Sequence, residues 1–195
     1  MRAGAAVVAC MLLAGGCEEE GEPLPRLGTL PPFELVDQRG DAFGRQDMRG
    51  RVWIASFVFT RCPTICPTLS MKMEELQGRF AGRSAELGLV SFSVDPENDT
   101  PDVLREHAAR YHADPAMWTW VTGPTEQVSD TVVRGFRVAM GEPTPTGNGD
   151  EYEIMHSSHL VLVDREGAIR GYYASDPEGV AELTAAAARL VEERR

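Results

Sequence analysis

The sequence is short of cysteine, of positive charge and of any apolar run that could span a bilayer, and each shortage excludes a class of protein. Four cysteines in 195 residues are too few for a disulfide-dense scaffold and ordinarily mean two bridges or one metal site. Lys and Arg total 19 against 30 Asp and Glu, a formal charge of −11. That balance removes the electrostatic basis for holding a phosphate backbone or an anionic lipid surface, so nucleic acid is excluded as a partner. The uncharged run from Ala3 to Ala14 is shorter than the roughly 20 residues a membrane-crossing helix needs. No internal repeat or long low-complexity tract follows residue 32. What is present, 43% hydrophobic and 25% charged residues, is the composition of one globular domain.

The first residues supply a single cation at Arg2, the apolar run, two small residues at Gly15 and Gly16, and then Cys17 before three glutamates. This is the pattern of a secretory signal peptide. Cys17 directly after Ala14-Gly15-Gly16 resembles the bacterial lipobox, whose cysteine receives a lipid, although the usual leucine stands one place early at Leu13. Cleavage by an ordinary signal peptidase and an uncleaved anchor are the alternatives. On the lipoprotein reading, residues 1–16 are the signal, 17–32 a flexible tether whose acids and prolines cannot build a core, and 33–195 the folded domain. Cys10 leaves with the signal and Cys17 carries the lipid, so only Cys62 and Cys66 remain in the domain.

Within the domain, Phe33 to Phe43 reads as two short strands turning at Arg39-Gly40-Asp41. Arg51 to Phe59 is apolar at nearly every position, as a strand covered on both faces is, and Leu87 to Val94 is a second such strand. Leu69, Met73, Leu76 and Phe80 recur at helical spacing behind Pro67; a further helix is capped by Thr100 and opened by Pro101. Trp118 to Thr122 reads as a strand and Val128, Val132 and Phe136 as the buried face of a helix. The stretch Gly141 to Asp150 is too rich in turn formers to be regular and reads as an inserted loop spanning about 141–155. A hairpin, Ser158–Val163 with Ala168–Tyr173, and a helix capped by Asp176 close the chain. This order predicts an α/β domain with a mixed central sheet flanked by helices, an N-terminal hairpin and a thioredoxin-like fold.

The chemistry concentrates in Thr60-Arg61-Cys62-Pro63-Thr64-Ile65-Cys66-Pro67, at the carboxyl end of a central strand, where α/β domains place their sites. Cys66 should stand at a helix N-terminus, where the dipole favours thiolate. Three residues between the cysteines, rather than the two of the redox motif, permit a Cys62–Cys66 disulfide when oxidised and also let both sulfurs meet one ion. A buried structural bridge, a redox dithiol and a metal pair are the three readings; a loop this short gains little from a bridge. Two thiolates suit Cu(I), and an added imidazole extends the site to Cu(II). His107 and His112 stand among charged residues and read as solvated. His156 and His159 lie near the start of the late strand, where odd spacing sends them to opposite faces, and spacing alone does not choose between them.

From about Phe33 to the last helix the chain resembles the Sco/SenC family of copper-binding, thioredoxin-fold proteins. The resemblance is carried by Phe57 to Pro67, by Ser93-Val94-Asp95-Pro96-Glu97-Asn98-Asp99-Thr100-Pro101, and by His156-Ser157 followed by Leu160 to Val163 and Gly167. It implies copper ligation by Cys62, Cys66 and His156, and leaves His159 a structural residue inside the strand. Asp95 and Asp99 match acids near the helix start, with capping and turn formation preferred over a ligand role. Met71 and Met155 could offer thioethers, but methionine more often fills a core.

The resemblance further implies a periplasmic, membrane-tethered copper metallochaperone, not an enzyme in the ordinary sense. Its recipient would be the binuclear copper centre of cytochrome c oxidase subunit II, with a thiol reductant protein as a second partner. The rival is a thiol-disulfide reductase that keeps the recipient's cysteines reduced. Ile154 to Ser158 lacks the proline that thioredoxin-type oxidoreductases set opposite their dithiol, which disfavours that rival, and Thr60 stands one place too close to Cys62 for a peroxidase pattern.

Overall fold

The computed structural model describes residues 22–147 and 152–193, so the signal peptide with Cys10, and the expected anchor Cys17, lie outside the described residues. An eight-stranded sheet runs in the order β1 (Gly28–Thr29), β10 (Ala168–Tyr173), β9 (Leu160–Val163), β4 (Val52–Val58), β5 (Leu87–Ser93), β6 (Trp118–Thr122), β2 (Glu34–Asp37) and β3 (Ala42–Gly44). Its centre is β4 (Val52–Val58), all seven of whose residues are buried. It pairs in parallel with β5 (Leu87–Ser93), which pairs in parallel with β6 (Trp118–Thr122). Parallel neighbours need crossovers, and these are α1 (Cys66–Arg79) and α2 (Pro101–Arg110). On its other side β4 meets β9 (Leu160–Val163) antiparallel, and β9 meets β10 (Ala168–Tyr173) through the expected hairpin. α4 (Pro177–Glu192) covers β4, β9 and β10; the Asp176 carboxylate accepts from Gly179 N and starts it.

The N-terminal hairpin forms as predicted, with β2 (Glu34–Asp37) and β3 (Ala42–Gly44) joined by a turn in which Asp37 Oδ1 accepts from Arg39 N and Asp41 N. β2 adds antiparallel to β6. The helix read from Val128, Val132 and Phe136 is α3 (Thr125–Ser129) running into a π-helical turn, Asp130–Gly135. Phe136 is set by that turn against Phe57 and Phe92, a ring cluster binding it to the two central strands.

Three expectations need correction. The tether does not extend to residue 32: β1 (Gly28–Thr29) pairs with β10, and Arg170 donates to the carbonyls of Leu24 and Pro25. Leu30 is 1% exposed. Acids and prolines build no core of their own, but here the backbone carbonyls and interspersed leucines are what the domain grips. The described part of the inserted loop near 141–155 is regular as well: β7 (Met140–Pro145) and β8 (Tyr152–His156) form a separate two-stranded ribbon. Pro143 and Pro145 are tolerated because β7 has a single neighbour and needs donors on one side only. Finally, His107 is buried against Tyr111 and Trp120, with neither ring nitrogen hydrogen-bonded among the described residues. His112 is exposed beside Glu74, as read.

Candidate metal centre

The last residues of β4 lead into the cysteine loop, and the loop's entry is fixed by a buried carboxylate. Asp99 accepts from Thr60 Oγ1 at 2.5 Å, from Thr60 N at 3.2 Å and from Ser93 Oγ at 2.6 Å. It thereby ties the ends of β4 and β5 together. Burial pushes its carboxyl above the usual range, against the pull of the Ser93 and Thr60 donors. Asp99 is therefore a loop anchor and not the cap of α2, which is Thr100 through Val103 N.

Beyond that anchor the chain places Cys62 on the loop and Cys66 as the first residue of α1. Both are buried and neither is in a disulfide. His156 comes from the end of β8, and the ligand atoms of the three residues lie within 4.8 Å of one another. Among the described residues this is the only group of three or more Cys, His, Asp or Glu side chains so placed. Cys66 Sγ is 3.3 Å from His156 Nε2 and accepts from Phe59 N at 3.5 Å. His156 Nδ1 lies 3.1 Å from the Ser157 carbonyl. A carbonyl only accepts, so Nδ1 carries the proton and the Nε2 lone pair faces the sulfurs, the orientation an imidazole ligand requires.

The two thiols are not equivalent. Hydrogen bonding from Cys66 holds Cys62 below the ordinary thiol range despite its burial. The same shared proton, together with burial, holds Cys66 far above it. The balance between the two sulfurs therefore favours the thiolate on Cys62 over the thiolate on Cys66. This direction runs against the expectation from helix position, because the neighbouring sulfur and the deeper site of Cys66, which is 1% exposed, oppose the dipole at the start of α1.

Phe59 packs behind the cluster, its ring stacked on Tyr152 at 6.0 Å and edge-on to His156 at 5.8 Å. In front, a cleft of about 430 Å³ opens beside Cys62 and His156, flanked by the exposed side chains of Ile65 and Met155. Two sulfurs and one imidazole at an open mouth suit a soft ion and leave a coordination position free for an incoming ligand.

Other candidates fall away from the cluster. His159 is exposed and lies in the turn before β9, not inside it, where its amide donates to Ser157 Oγ. Met71 and Met155 are exposed, not core. The Asp95 carboxylate accepts from Asn98 Nδ2 at 3.0 Å and from the Tyr152 hydroxyl. Tyr152 and Phe59 escaped the sequence reading. The signal for Tyr152 was available in strand period: Tyr152, Ile154 and His156 alternate with the exposed Glu153 and Met155.

A thioredoxin-like α/β domain presenting a Cys–Cys–His centre at the end of its central strand defines a class of soft-metal-binding proteins, and comparison with known proteins agrees. The pattern of the SCO1/SenC family matches residues 22–192. A SCO1 protein homolog of Bacillus subtilis is 30% identical over 166 residues, covering 85% of this chain and 82% of the relative. Among solved structures, a SCO1/SenC family lipoprotein of Bacillus anthracis superposes with TM-score 0.74 at 29% identity, covering 84% of this chain and 95% of that one. Bradyrhizobium japonicum ScoI with copper bound gives TM-score 0.69 at 27% identity, covering 81% and 99%. BsSco, described as a Sco family cytochrome c oxidase assembly protein with a disulfide switch, gives 0.72 at 26%, covering 88% and 99%. The chain belongs to the SCO1/SenC family.

Proposed function

We propose that this protein is a copper metallochaperone, tethered to the membrane on its extracytoplasmic side, that delivers copper to the binuclear copper centre of cytochrome c oxidase subunit II. The observation that carries the reading is the convergence of Cys62, Cys66 and His156 beside an open cleft. Copper bound in the ScoI relative and the oxidase-assembly role given for BsSco support cargo and recipient. The thiolates of Cys62 and Cys66 hold Cu(I), and His156 extends the set for Cu(II). With no fourth Cys, His, Asp or Glu side chain gathered at the centre among the described residues, a recipient side chain enters the vacant position before the chaperone's sulfurs leave, so transfer never passes through a free ion. Among the described residues no helix is long and apolar enough to cross a membrane, and attachment falls to a lipid on Cys17, in keeping with the Bacillus anthracis lipoprotein relative.

The test uses the soluble form that begins after Cys17, reduced and loaded with Cu(II). A thiolate-to-copper charge-transfer band and a copper resonance signal appear, and both collapse in Cys62→Ser and His156→Ala. Transfer is followed to the soluble domain of apo subunit II.

A second reading is favoured by the unequal placement of the two cysteines, Cys62 lining the cleft and Cys66 buried behind it. Cys62 attacks a recipient disulfide, forming a mixed disulfide and releasing one recipient thiolate. Cys66, on losing its proton, attacks Cys62 and releases the other, so two electrons pass and the chain ends as the Cys62–Cys66 disulfide, to be reduced by a thiol protein. Here His156→Ala is harmless. Normal copper binding in that variant, with dithiol reduction retained, overturns the chaperone reading in favour of the reductase.

A further inference from the structure

The three ligands of the centre are held by two different kinds of structure. Cys62 and Cys66 follow the fully buried β4, whereas His156 ends a ribbon that is a sheet of its own. Something must fix that ribbon against the body for Nε2 to reach the sulfurs, and apolar packing does so only in part. Ile154 is the one fully buried residue of β8, and a cavity of about 300 Å³ separates β7 and Tyr152 from the loop that follows β5.

Across that gap runs a closed polar contact. The Tyr152 hydroxyl donates to Asp95 Oδ2, Asn98 Nδ2 donates to Asp95 Oδ1 at 3.0 Å, and the same amide nitrogen lies 3.1 Å from the Tyr152 oxygen. Asp95 is itself buried and held by the turn it closes, Asn98 N and Asp99 N both donating to its carbonyl. Burial and the Asp95 carboxylate push the Tyr152 hydroxyl up to about 12, so it remains a proton donor throughout the physiological range. From Tyr152 the contact continues through packed rings: its ring stacks on Phe59, and Phe59 meets the His156 imidazole edge-on while its amide donates to Cys66 Sγ.

We infer that Tyr152, latched by Asp95 and Asn98, is a positioning residue that sets His156 against the two cysteines and so decides whether the centre offers three ligands or two. The inference rests on the copper reading and adds to it a residue that touches neither metal nor ligand sulfur. An imidazole matters most to Cu(II), whereas two thiolates satisfy Cu(I). Loss of the latch therefore weakens Cu(II) selectively. Removal of an outer partner of a ligand typically costs about 10–100-fold in affinity.

The experiment compares Tyr152→Phe, which keeps the ring on Phe59 and removes only the hydroxyl, with Asn98→Ala, His156→Ala and the Tyr152→Phe/His156→Ala pair. The full chain is used, reduced. Cu(I) and Cu(II) affinities are measured by competition with chelators, and ribbon hydrogen exchange and the His156 ring resonances are recorded without metal. The expected result is a loss of at least about tenfold for Cu(II) in Tyr152→Phe, with Cu(I) changed less than threefold. Faster exchange at the ribbon amides and a shifted His156 ring signal accompany it in the metal-free protein. Asn98→Ala follows the same direction, and the double variant is no weaker for Cu(II) than His156→Ala alone.

Unchanged Cu(II) affinity and ribbon exchange in Tyr152→Phe overturn the inference, as do equal losses for both copper states or additive losses in the double variant. If Tyr152→Phe does not fold, Asn98→Ala carries the same comparison. Normal Cu(II) binding by His156→Ala counts instead against the copper reading, which separates the two failures.

Discussion

The two sides of the metal centre are built to different standards of rigidity. The cysteine side grows out of β4, flanked by β5 and β9 and covered by α1 and α4, with its exit loop pinned by the buried Asp99. The histidine side is a two-stranded ribbon, a form that is marginal in isolation, attached through Ile154, the Phe59 ring and the Tyr152 contact. The contrast teaches that the soft ligands are pre-organised and that the imidazole is the adjustable one. For a carrier this is useful: capture needs a fixed pair, and release needs a ligand that can leave at little cost.

The largest effect should come from the rigid side. Cys66→Ser should lower affinity for both copper states by more than about 100-fold, beyond the range of an outer-partner loss, as read by chelator competition. A Cu(I) affinity that survives this change would break the comparison. Next, Asp99→Ala leaves Thr60 N and Ser93 Oγ without their acceptor. It should cost about 1–3 kcal/mol of stability in denaturant titration, with increased alkylation of Cys62 and no change in ribbon exchange. An equal response in the ribbon would mean that the two sides are one unit.

A smaller effect is protonic. With the thiolate favoured on Cys62 and the thiol on Cys66, Cu(I) uptake near neutral pH should expel about one proton, so affinity should fall about tenfold for each pH unit of acidification. Calorimetry in buffers of different ionisation enthalpy counts it, and a count of two would return Cys62 to the thiol form. The smallest concerns His107, buried between α2 and β6 on the sheet side. Burial, then the Arg110 charge, lowers its proton affinity in the fold. The unfolded chain therefore binds the proton more readily, and stability present above about pH 6.5 is lost as pH falls below it. The slope should not exceed about 1.4 kcal/mol per pH unit. His107→Leu should flatten it without altering copper binding.

How legible these regions were from the sequence follows the same division. The cysteine half could be read locally, because a continuous apolar run, a Pro-flanked cysteine pair and a helical stripe are contiguous from Arg51 to Phe80. The histidine half could not: spacing left His156 and His159 open, and only the family resemblance chose His156. Gly and Pro in 141–150 hid a strand that needs donors on one edge only, so the alternation of Tyr152, Ile154 and His156 was not sought. His107 was misjudged from its charged neighbours, although Leu104, His107 and Ala108 keep helical spacing on one buried face. The docked N-terminal stretch was beyond local reading, since Arg170 reaches the Pro25 carbonyl across 145 positions of sequence.

That docked stretch changes the geometry of delivery. Arg189 holds the Glu22 carbonyl and Arg170 those of Leu24 and Pro25, so the chain is moored to the domain from Glu22 onward. With the proposed lipid on Cys17, five residue spacings separate anchor from mooring, a reach of roughly 17 Å at most. The domain then patrols a thin layer above the bilayer rather than a wide hemisphere. Confinement of that kind raises its effective concentration towards a recipient embedded in the same membrane, and restricts it to recipients whose copper site lies within that layer.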